Sequence, residues 1–266
     1  MLFFIAGCEK EDIVPQTNTR TGIIAVKMTD SPAKYAALDV EITSVEIYSQ
    51  PSGWVILAKA PRIISVLKLT NGANVALTRQ NEIKVGHYTR LKINFGNLNK
   101  LGLNENDDFA QAGPKMVNLQ FLGEKAIIVD IDVVVKPMAY SEILLDFQAA
   151  QSIIKTRGVY FLKPVISVIT NPRTGVMGDL EANAYLGITG SIFAVHGHDT
   201  ISTYTNNEGK FILRGMKEGV YKIIIMPALF NPHAIYPQNH FINGVIISEG
   251  QITNLGKIQI GTGLPN

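Results

Sequence analysis

The feature that most constrains the fold of this chain is a period-two alternation of apolar and polar residues. Ile24, Val26 and Met28 alternate with Ala, Lys and Thr, and residues 87–95 repeat the pattern. Alternation over four to eight residues is typical of strands with one buried face. Turn-forming runs such as Asn-Gly, Pro-Ser-Gly and Gly-Pro separate these stretches. The sequence therefore predicts an all-β fold of many short strands, which favours β-sandwiches.

The Asn-Pro-Arg run at residues 171–173 divides the chain into two predicted β-sandwich domains in tandem, over residues 22–172 and 173–266. Helix is expected to be scarce: residues 141–150 fit either a short amphipathic helix or a strand, and residues 31–38 fit one helical turn. About seven strands are predicted in the second domain, which is the size of one immunoglobulin- or transthyretin-like sandwich. They are expected near residues 175–182, 189–196, 199–204, 209–214, 219–226, 243–248 and 252–260.

Composition and charge argue against several classes of protein. Hydrophobic residues make up 46% of the 266 residues, so a packed core is expected, and the net charge is only +2. The chain has no run of Lys and Arg, which argues against nucleic acid as a partner. No apolar stretch reaches roughly 18 residues, the length expected of a transmembrane helix. Cys8 is the single cysteine, so neither an intramolecular disulfide nor a cysteine-based zinc site is possible.

The start of the chain resembles a bacterial lipobox, because the apolar run Leu2–Ala6 is followed by Gly7 and Cys8. The resemblance implies that residues 1–7 are the remainder of a signal peptide and that Cys8 carries diacylglycerol and palmitate. Residues 8–21 would then form a flexible tether, and its charged beginning is similar to the export tract of Bacteroidetes lipoproteins. The expected location is the outer membrane, with a lipid anchor and exposure at the cell surface. The alternative is an N-terminus without regular structure that carries a chance cysteine.

Residues 22–170 resemble the bacterial family called domain of unknown function 4382. Separated motifs carry the resemblance and occur in the order of the family. They are GIIAVKMTDSP at 22–32, VEITSVEIY at 40–48, GW with Leu57 at 53–57, VLKLTNG at 66–72, VGHYTRL at 85–91, LLDFQAAQS at 144–152 and YFLKPVISV at 160–168. The family has no established activity, so the resemblance implies neither a function nor catalytic residues.

The second domain resembles the carboxypeptidase-regulatory, transthyretin-like family. The family pattern Thr-x-x-x-Gly-x-Phe, Gly-Leu, Gly-x-Tyr is matched by residues 205–211, by Gly215-Met216 and by residues 219–221. Met216 stands where the family has Leu, which is a volume-conserving replacement. The resemblance implies a non-catalytic β-sandwich module that accompanies secreted enzymes and outer-membrane receptors.

Two polar clusters could bind a metal ion. His196, His198 and Asp199 could form a transition-metal site, but Gly197 indicates that they belong to a hairpin turn, where polar residues are common. The run NENDD at residues 104–108 is rich in oxygen ligands for Ca²⁺, but it lacks the spacing of a calcium loop. We therefore predict neither a metal nor a cofactor.

Carboxylates could also do acid–base chemistry. Asp130 and Asp132 share one face of a predicted strand, and together with Asp146 elsewhere they could serve a glycosidase. The simpler interpretation is that Asp130 and Asp132 form the solvent face of an aliphatic strand. Asp30 fits a local Asx-type turn. No nucleophile elbow, phosphate loop or zinc-protease motif is present, so we predict no catalytic residues.

The segment between residues 227 and 241 is long for a hairpin connection and rich in aromatic and proline residues. Loops on rigid scaffolds often carry binding, and aromatic faces can stack on sugar rings or on partner side chains. The predicted partner or ligand surface consists of Phe230, His233, Tyr236, His240 and Phe241. The alternative is that its aromatic side chains fold back onto the edge of the domain or onto the first domain.

These observations favour a non-enzymatic surface or outer-membrane lipoprotein. It would act as an interaction or accessory module of a cell-envelope assembly, or as an adhesin. The expected partners are the membrane, through the lipid on Cys8, and other outer-membrane or surface proteins. The alternative is a glycan-binding lipoprotein for polysaccharide capture. A hydrolase that uses Asp130 and Asp132 is the third hypothesis.

Overall fold

The structure is a computed structural model that describes residues 20–30, 33–103, 115–181, 189–228 and 239–260. These residues form strands almost throughout, and the predicted all-β class is confirmed. The strands of the first unit are β1 (Thr21–Asp30), β2 (Ala37–Ser49), β3 (Gly53–Ser65), β4 (Val75–Ala76), β5 (Asn81–Lys84), β6 (Gly86–Phe95), β7 (Lys100–Leu103), β8 (Lys115–Asn118), β9 (Gln120–Phe121), β10 (Ala126–Val135), β11 (Tyr140–Phe147), β12 (Ile153–Thr156), β13 (Val159–Leu162) and β14 (Ile166–Ile169). Helical structure in the described residues is limited to a 3₁₀ turn at Val66–Leu69 and the helix α1 at Ala149–Ser152.

Two large sheets enclose the core of the first unit. The five-stranded sheet has the order β14-β11-β1-β4, with β5 also paired to β1. The six-stranded sheet has the order β10-β6-β2-β7-β8, with β3 paired to β2. Within these two sheets the pairing of β1 with β11 is parallel and the other pairings are antiparallel. Strands β12, β13 and β9 form a small third sheet.

The alternation in the sequence corresponds to burial in this unit. Ile24, Val26 and Met28 of β1 are fully buried, and Ile47 of β2 and Leu91 of β6 are buried from the other sheet. All five belong to one hydrophobic cluster. Residues that flank Ile47 and Leu91 in sequence therefore lie on the opposite, outer face of the six-stranded sheet.

The second unit contains the seven strands that were predicted. They are β15 (Gly175–Glu181), β16 (Thr189–His196), β17 (Asp199–Tyr204), β18 (Lys210–Arg214), β19 (Gly219–Ala228), β20 (His240–Ile247) and β21 (Ile252–Gln259). A three-stranded sheet, β18-β15-β21, and a four-stranded sheet, β17-β16-β19-β20, contribute to a separate hydrophobic cluster. The largest difference between a predicted and an observed strand is at β20, which begins at His240 and not near residue 243.

The two segments for which the sequence permitted a helix are mainly extended in the structure. Residues 140–147 form β11, and only Ala149–Ser152 is helical, because β11 pairs along eight residues with β1. The helical turn predicted over residues 31–38 is wrong for the described part. Residues 34–36 form a bend and β2 begins at Ala37, where pairing with β7 requires extended backbone. Ser31 and Pro32 lie outside the described residues.

Buried polar groups stabilise the last part of the first unit, residues 148–165, which we call the closing segment. The hydroxyl of Ser152, which is fully buried, donates to the Gln148 carbonyl at 2.9 Å and accepts the Val165 N–H at 2.9 Å. The buried carboxylate of Asp30 accepts the Ala149 N–H at 3.2 Å, across 119 positions of sequence. Asp30 therefore ties β1 to α1, a long-range role that the Asx-turn interpretation did not include.

Replacement of Ser152 by Ala is expected to lower the free energy of unfolding of the first unit by about 1–3 kcal/mol, because the Val165 N–H loses its buried acceptor. Urea unfolding followed by the fluorescence of Trp54, the only tryptophan, measures this change. Ser202→Ala is the matched control, since Ser202 is exposed on β17. Equal stability of the Ser152→Ala variant and the wild type would contradict this account of the closing segment.

Candidate functional site

The strongest candidate for a binding surface is the outer face of the six-stranded sheet. β2 and β3 are joined by a tight turn in which Gly53 adopts a φ of +65°, a conformation that favours glycine. The resulting register places side chains of four strands in rows. One row contains Trp54, Tyr48, Arg90 and Asp130, and the next contains Ile56, Glu46, Lys92 and Ile128. Because neighbouring strands lie about 4.8 Å apart, each row spans about 14 Å.

We use the name aromatic platform for Tyr48, Trp54, Arg90 and Lys92. The rings of Tyr48 and Trp54 have centroids 5.2 Å apart and planes inclined by 54°. The Arg90 Cζ atom lies 4.1 Å from the Tyr48 ring centroid and 5.6 Å from that of Trp54. The Lys92 Nζ atom lies 5.8 Å from the Trp54 centroid. The platform therefore combines an aromatic pair with two cations, and the Trp54 residue is 36% exposed.

Polar side chains of β2 and β6 lie next to Lys92, at one side of the platform. The Asn94 Nδ2 group donates to the Glu46 Oε1 atom at 2.8 Å and to the Ser44 hydroxyl at 2.7 Å. The Lys92 Nζ atom lies 3.9 Å from the same Glu46 oxygen. Glu46 is thus contacted by Asn94, by Lys92 and by the Ser44 hydroxyl, which donates to the same oxygen at 3.5 Å. By contrast, the Arg90 guanidinium has no hydrogen-bond acceptor and no carboxylate partner among the residues that the structure describes.

Residues 21–164, which include the whole platform, match the family described as domain of unknown function (DUF4382). This match covers more than half of the 266 residues. The chain belongs to the DUF4382 family. A search for matching curated proteins found none.

Similar solved structures show only weak likeness to this DUF4382 protein. A leucine-rich repeat protein from Bacteroides thetaiotaomicron VPI-5482 is 11% identical, with a TM-score of 0.22 over 91% of this chain and 26% of that one. The shaft pilin spaA from Lactobacillus rhamnosus GG is 8% identical, with a TM-score of 0.22 over 93% of this chain and 100% of the pilin. The DUF4382 protein thus spans about a quarter of the repeat protein.

The platform was not among the predicted sites of the DUF4382 unit. Its signal in the sequence is that Trp54, the only tryptophan, follows Tyr48 across a Pro-Ser-Gly turn. Such a hairpin places the two rings opposite each other on one face. The sequence near Arg90 and Lys92 does not indicate that they lie beside the rings, because only the pairing of β6 with β2 brings them there.

The structure describes two of the five residues predicted as a partner surface in the second unit. Phe230, His233 and Tyr236 lie outside the described residues, as does Cys8. His240 and Phe241 begin β20, where they pair with Ile225 and Ile224 of β19. Phe241 is half exposed, and the Lys222 Nζ atom lies 4.6 Å from its ring centroid. No helix in the described part of the DUF4382 protein is long and apolar enough to span a membrane.

The histidine cluster occupies the hairpin between β16 and β17, as the turn interpretation predicted. The His196 Nδ1 atom lies 3.1 Å from the Val220 carbonyl oxygen, and the His196 ring packs 4.8 Å from that of Tyr221. Asp199 lies 3.8 Å from the Lys217 Nζ atom. Within the described ranges, no three His, Cys, Asp or Glu residues are grouped so that they could hold a metal ion. Residues 104–108 lie outside those ranges.

Asp130 and Asp132 are both exposed on β10, on the solvent side that the alternation predicted. His87 Nε2 lies 2.6 Å from Asp132 Oδ1. Asp146 belongs to β11 in the other sheet, so the structure does not join the three carboxylates in one site. Among the described strands, β10 is the last of its sheet, and its register shifts between Asp130 and Val133. Charges and bulges on such a strand oppose edge-to-edge pairing with other chains.

The double substitution of Asp130 and Asp132 by Val is expected to increase aggregation several-fold, because it leaves an uninterrupted aliphatic edge strand. Light scattering against protein concentration measures the effect. Glu218→Val is the matched control, since it removes an exposed carboxylate in a turn of the second unit. Equal aggregation of the double variant and the control would show that the edge of β10 is not responsible.

Proposed function

We propose that this DUF4382 protein is a non-enzymatic, lipid-anchored module of the bacterial cell envelope that binds a partner through the aromatic platform. The observation that carries the proposal is the exposed Trp54–Tyr48 pair with Arg90 and Lys92 on a sheet face. Trp, Tyr and Arg are the residue types that dominate the energetics of protein interfaces. Because these side chains stand on paired strands rather than on a loop, little ordering is needed when a partner binds.

The lipobox-like start supports the anchored location. Cys8 supplies the thiol to be acylated, and β1 begins at Thr21, so twelve residues separate the lipid from the first strand. A fully extended segment of this length spans at most about 40 Å. We propose that the anchor lies in the outer membrane and that the DUF4382 unit is displayed at the cell surface, as the charged tract after Cys8 suggests for a Bacteroidetes-type lipoprotein.

The second unit is proposed to be a carboxypeptidase-regulatory-like accessory module. The residues that carry this resemblance have structural roles that fit a non-catalytic β-sandwich. Phe211 and Tyr221 are buried in the core of the second unit, and Met216 is fully buried there. Gly209 has a φ of +86° and donates its N–H to the Asn206 carbonyl at 3.0 Å, which closes the turn before β18.

Substitution of Trp54 by Ala is expected to reduce partner recovery at least tenfold when the full chain is cross-linked in native membranes and purified. The reason is that Trp54 is the largest exposed side chain of the platform. Tyr204→Ala, which removes an exposed aromatic ring from the second unit outside the predicted partner surface, should leave recovery unchanged. Equal recovery with the wild type and the Trp54→Ala variant would overturn the assignment of the platform.

Substitution of Cys8 by Ser is expected to abolish labelling with an alkyne-tagged fatty acid and to release the protein from the membrane fraction. Cys8 is the only thiol that could be acylated. Thr19→Ala in the proposed tether is the control and should be labelled normally. Membrane association that persists without Cys8 would refute the lipid anchor and leave the platform untouched.

A further inference from the structure

We propose that the aromatic platform binds an acidic polysaccharide, with a uronic-acid ring stacked on Trp54 and its carboxylate held by Arg90. This inference rests on the proposed function and names the chemical class of its partner.

The free hydrogen-bonding capacity of Arg90 indicates a carboxylate. The Arg90 Cζ atom lies 4.1 Å from the Tyr48 ring centroid, so the guanidinium is in van der Waals contact with the ring. Its N–H donors find no acceptor among the described residues of the chain. A guanidinium presents these donors as a planar fork that matches a carboxylate in bidentate geometry. Contact with Tyr48 restricts the fork before any ligand arrives, which lowers the entropic cost of binding.

The neighbouring Trp54 ring indicates which kind of molecule bears that carboxylate. Aromatic faces hold apolar, C–H-rich faces such as those of sugar rings. Arg90 Cζ and Lys92 Nζ lie 5.6 Å and 5.8 Å from the Trp54 centroid, so both cations are within about one sugar ring of the stacking face. A uronic acid bears its carboxylate directly on the ring, and it therefore contacts the stacking face and a cation together.

The form of the surface favours a polymer over a small molecule. Each row of side chains spans about 14 Å across the strands. Ile56 and Ile128 at the two ends of the second row are both more than half exposed, and they leave the surface open at both sides. An open surface of this length accommodates several consecutive sugars, whereas small ligands are usually enclosed in clefts.

The two cations beside the Trp54 ring also favour an anion. Arg90, Lys92 and Lys59 lie on this face of the sheet together with Glu46 and Asp130, in register across the strands, and Asp132 lies on the same side of β10, where its Oδ1 atom is 2.6 Å from His87 Nε2. The Glu46 carboxylate accepts the Asn94 amide and lies 3.9 Å from Lys92 Nζ, so part of its charge is already compensated. Asp130, the cross-strand neighbour of Arg90, is the carboxylate that would oppose an anionic ligand.

The test is a titration of the full chain in detergent at low salt with polygalacturonate, alginate and hyaluronan, and with neutral dextran. Trp54 fluorescence reports binding at the platform directly, because no other tryptophan is present. We expect a saturable change with at least one of the three uronates and none with dextran. Arg90→Lys, which keeps the charge and loses the fork, should weaken binding about tenfold. Asp130→Asn should strengthen it roughly twofold by removing the opposing charge.

The outcomes separate this inference from the proposed function. Dextran binding as tight as uronate binding, or an Arg90→Lys variant with unchanged affinity for a uronate, overturns the acidic polysaccharide and leaves the binding platform in place. No change with any uronate, while membrane cross-linking still depends on Trp54, overturns it in favour of a protein partner. If cross-linking is also insensitive to Trp54, the proposed function fails as well. Urea unfolding of each variant shows that the platform remains folded.

Discussion

The parallel pairing of β1 with β11 is the interaction on which the first unit depends. Eight consecutive residue pairs join the strands, from Ile23 with Tyr140 to Asp30 with Phe147. β1 is bonded on its other side to β4 and β5, so its backbone is satisfied only when segments far apart in sequence have met. Contacts between segments so far apart in sequence are slow to form. The second unit uses the same device, since its first strand, β15, pairs in parallel with its last, β21.

The packing of the core determines that the platform side chains point outward. Ile47 and Leu91 are fully buried beneath the six-stranded sheet, and the next residue on β2 and the preceding residue on β6 are Tyr48 and Arg90. Because successive side chains of a strand point to opposite faces, burial of the first pair forces the second pair outward. A surface held in this way is preorganised, whereas a loop must be ordered when its partner binds.

Local patterns predicted the strands well, and non-local pairing decided what they could not. In the second unit, alternation and glycine turns were enough to place all seven strands, because each strand and turn carries its own signal. The segment 141–150 was ambiguous because its apolar residues suit both periods; the pairing of β11 with β1 makes it a strand as far as Phe147, and α1 begins at Ala149. Asp30 shows the same limit, since its acceptor role depends on Ala149, far away in sequence. Arg90 is the clearest case, because its place beside Tyr48 is a matter of sheet register alone.

The connection to the second unit and the platform belong to different sheets of the first unit. β14 lies at the edge of the five-stranded sheet and leads into residues 170–174, and the platform lies on the outer face of the six-stranded sheet. The connection is held against the second unit, where the Arg214 Nη1 group donates to the Pro172 carbonyl at 2.9 Å and the Met216 N–H donates to the Thr174 carbonyl at 3.2 Å. Attachment of the second unit therefore uses backbone and side chains that the platform does not share. A partner on Trp54 and Arg90 would therefore contact the outer face of the six-stranded sheet, whereas the second unit follows β14 at the edge of the five-stranded sheet.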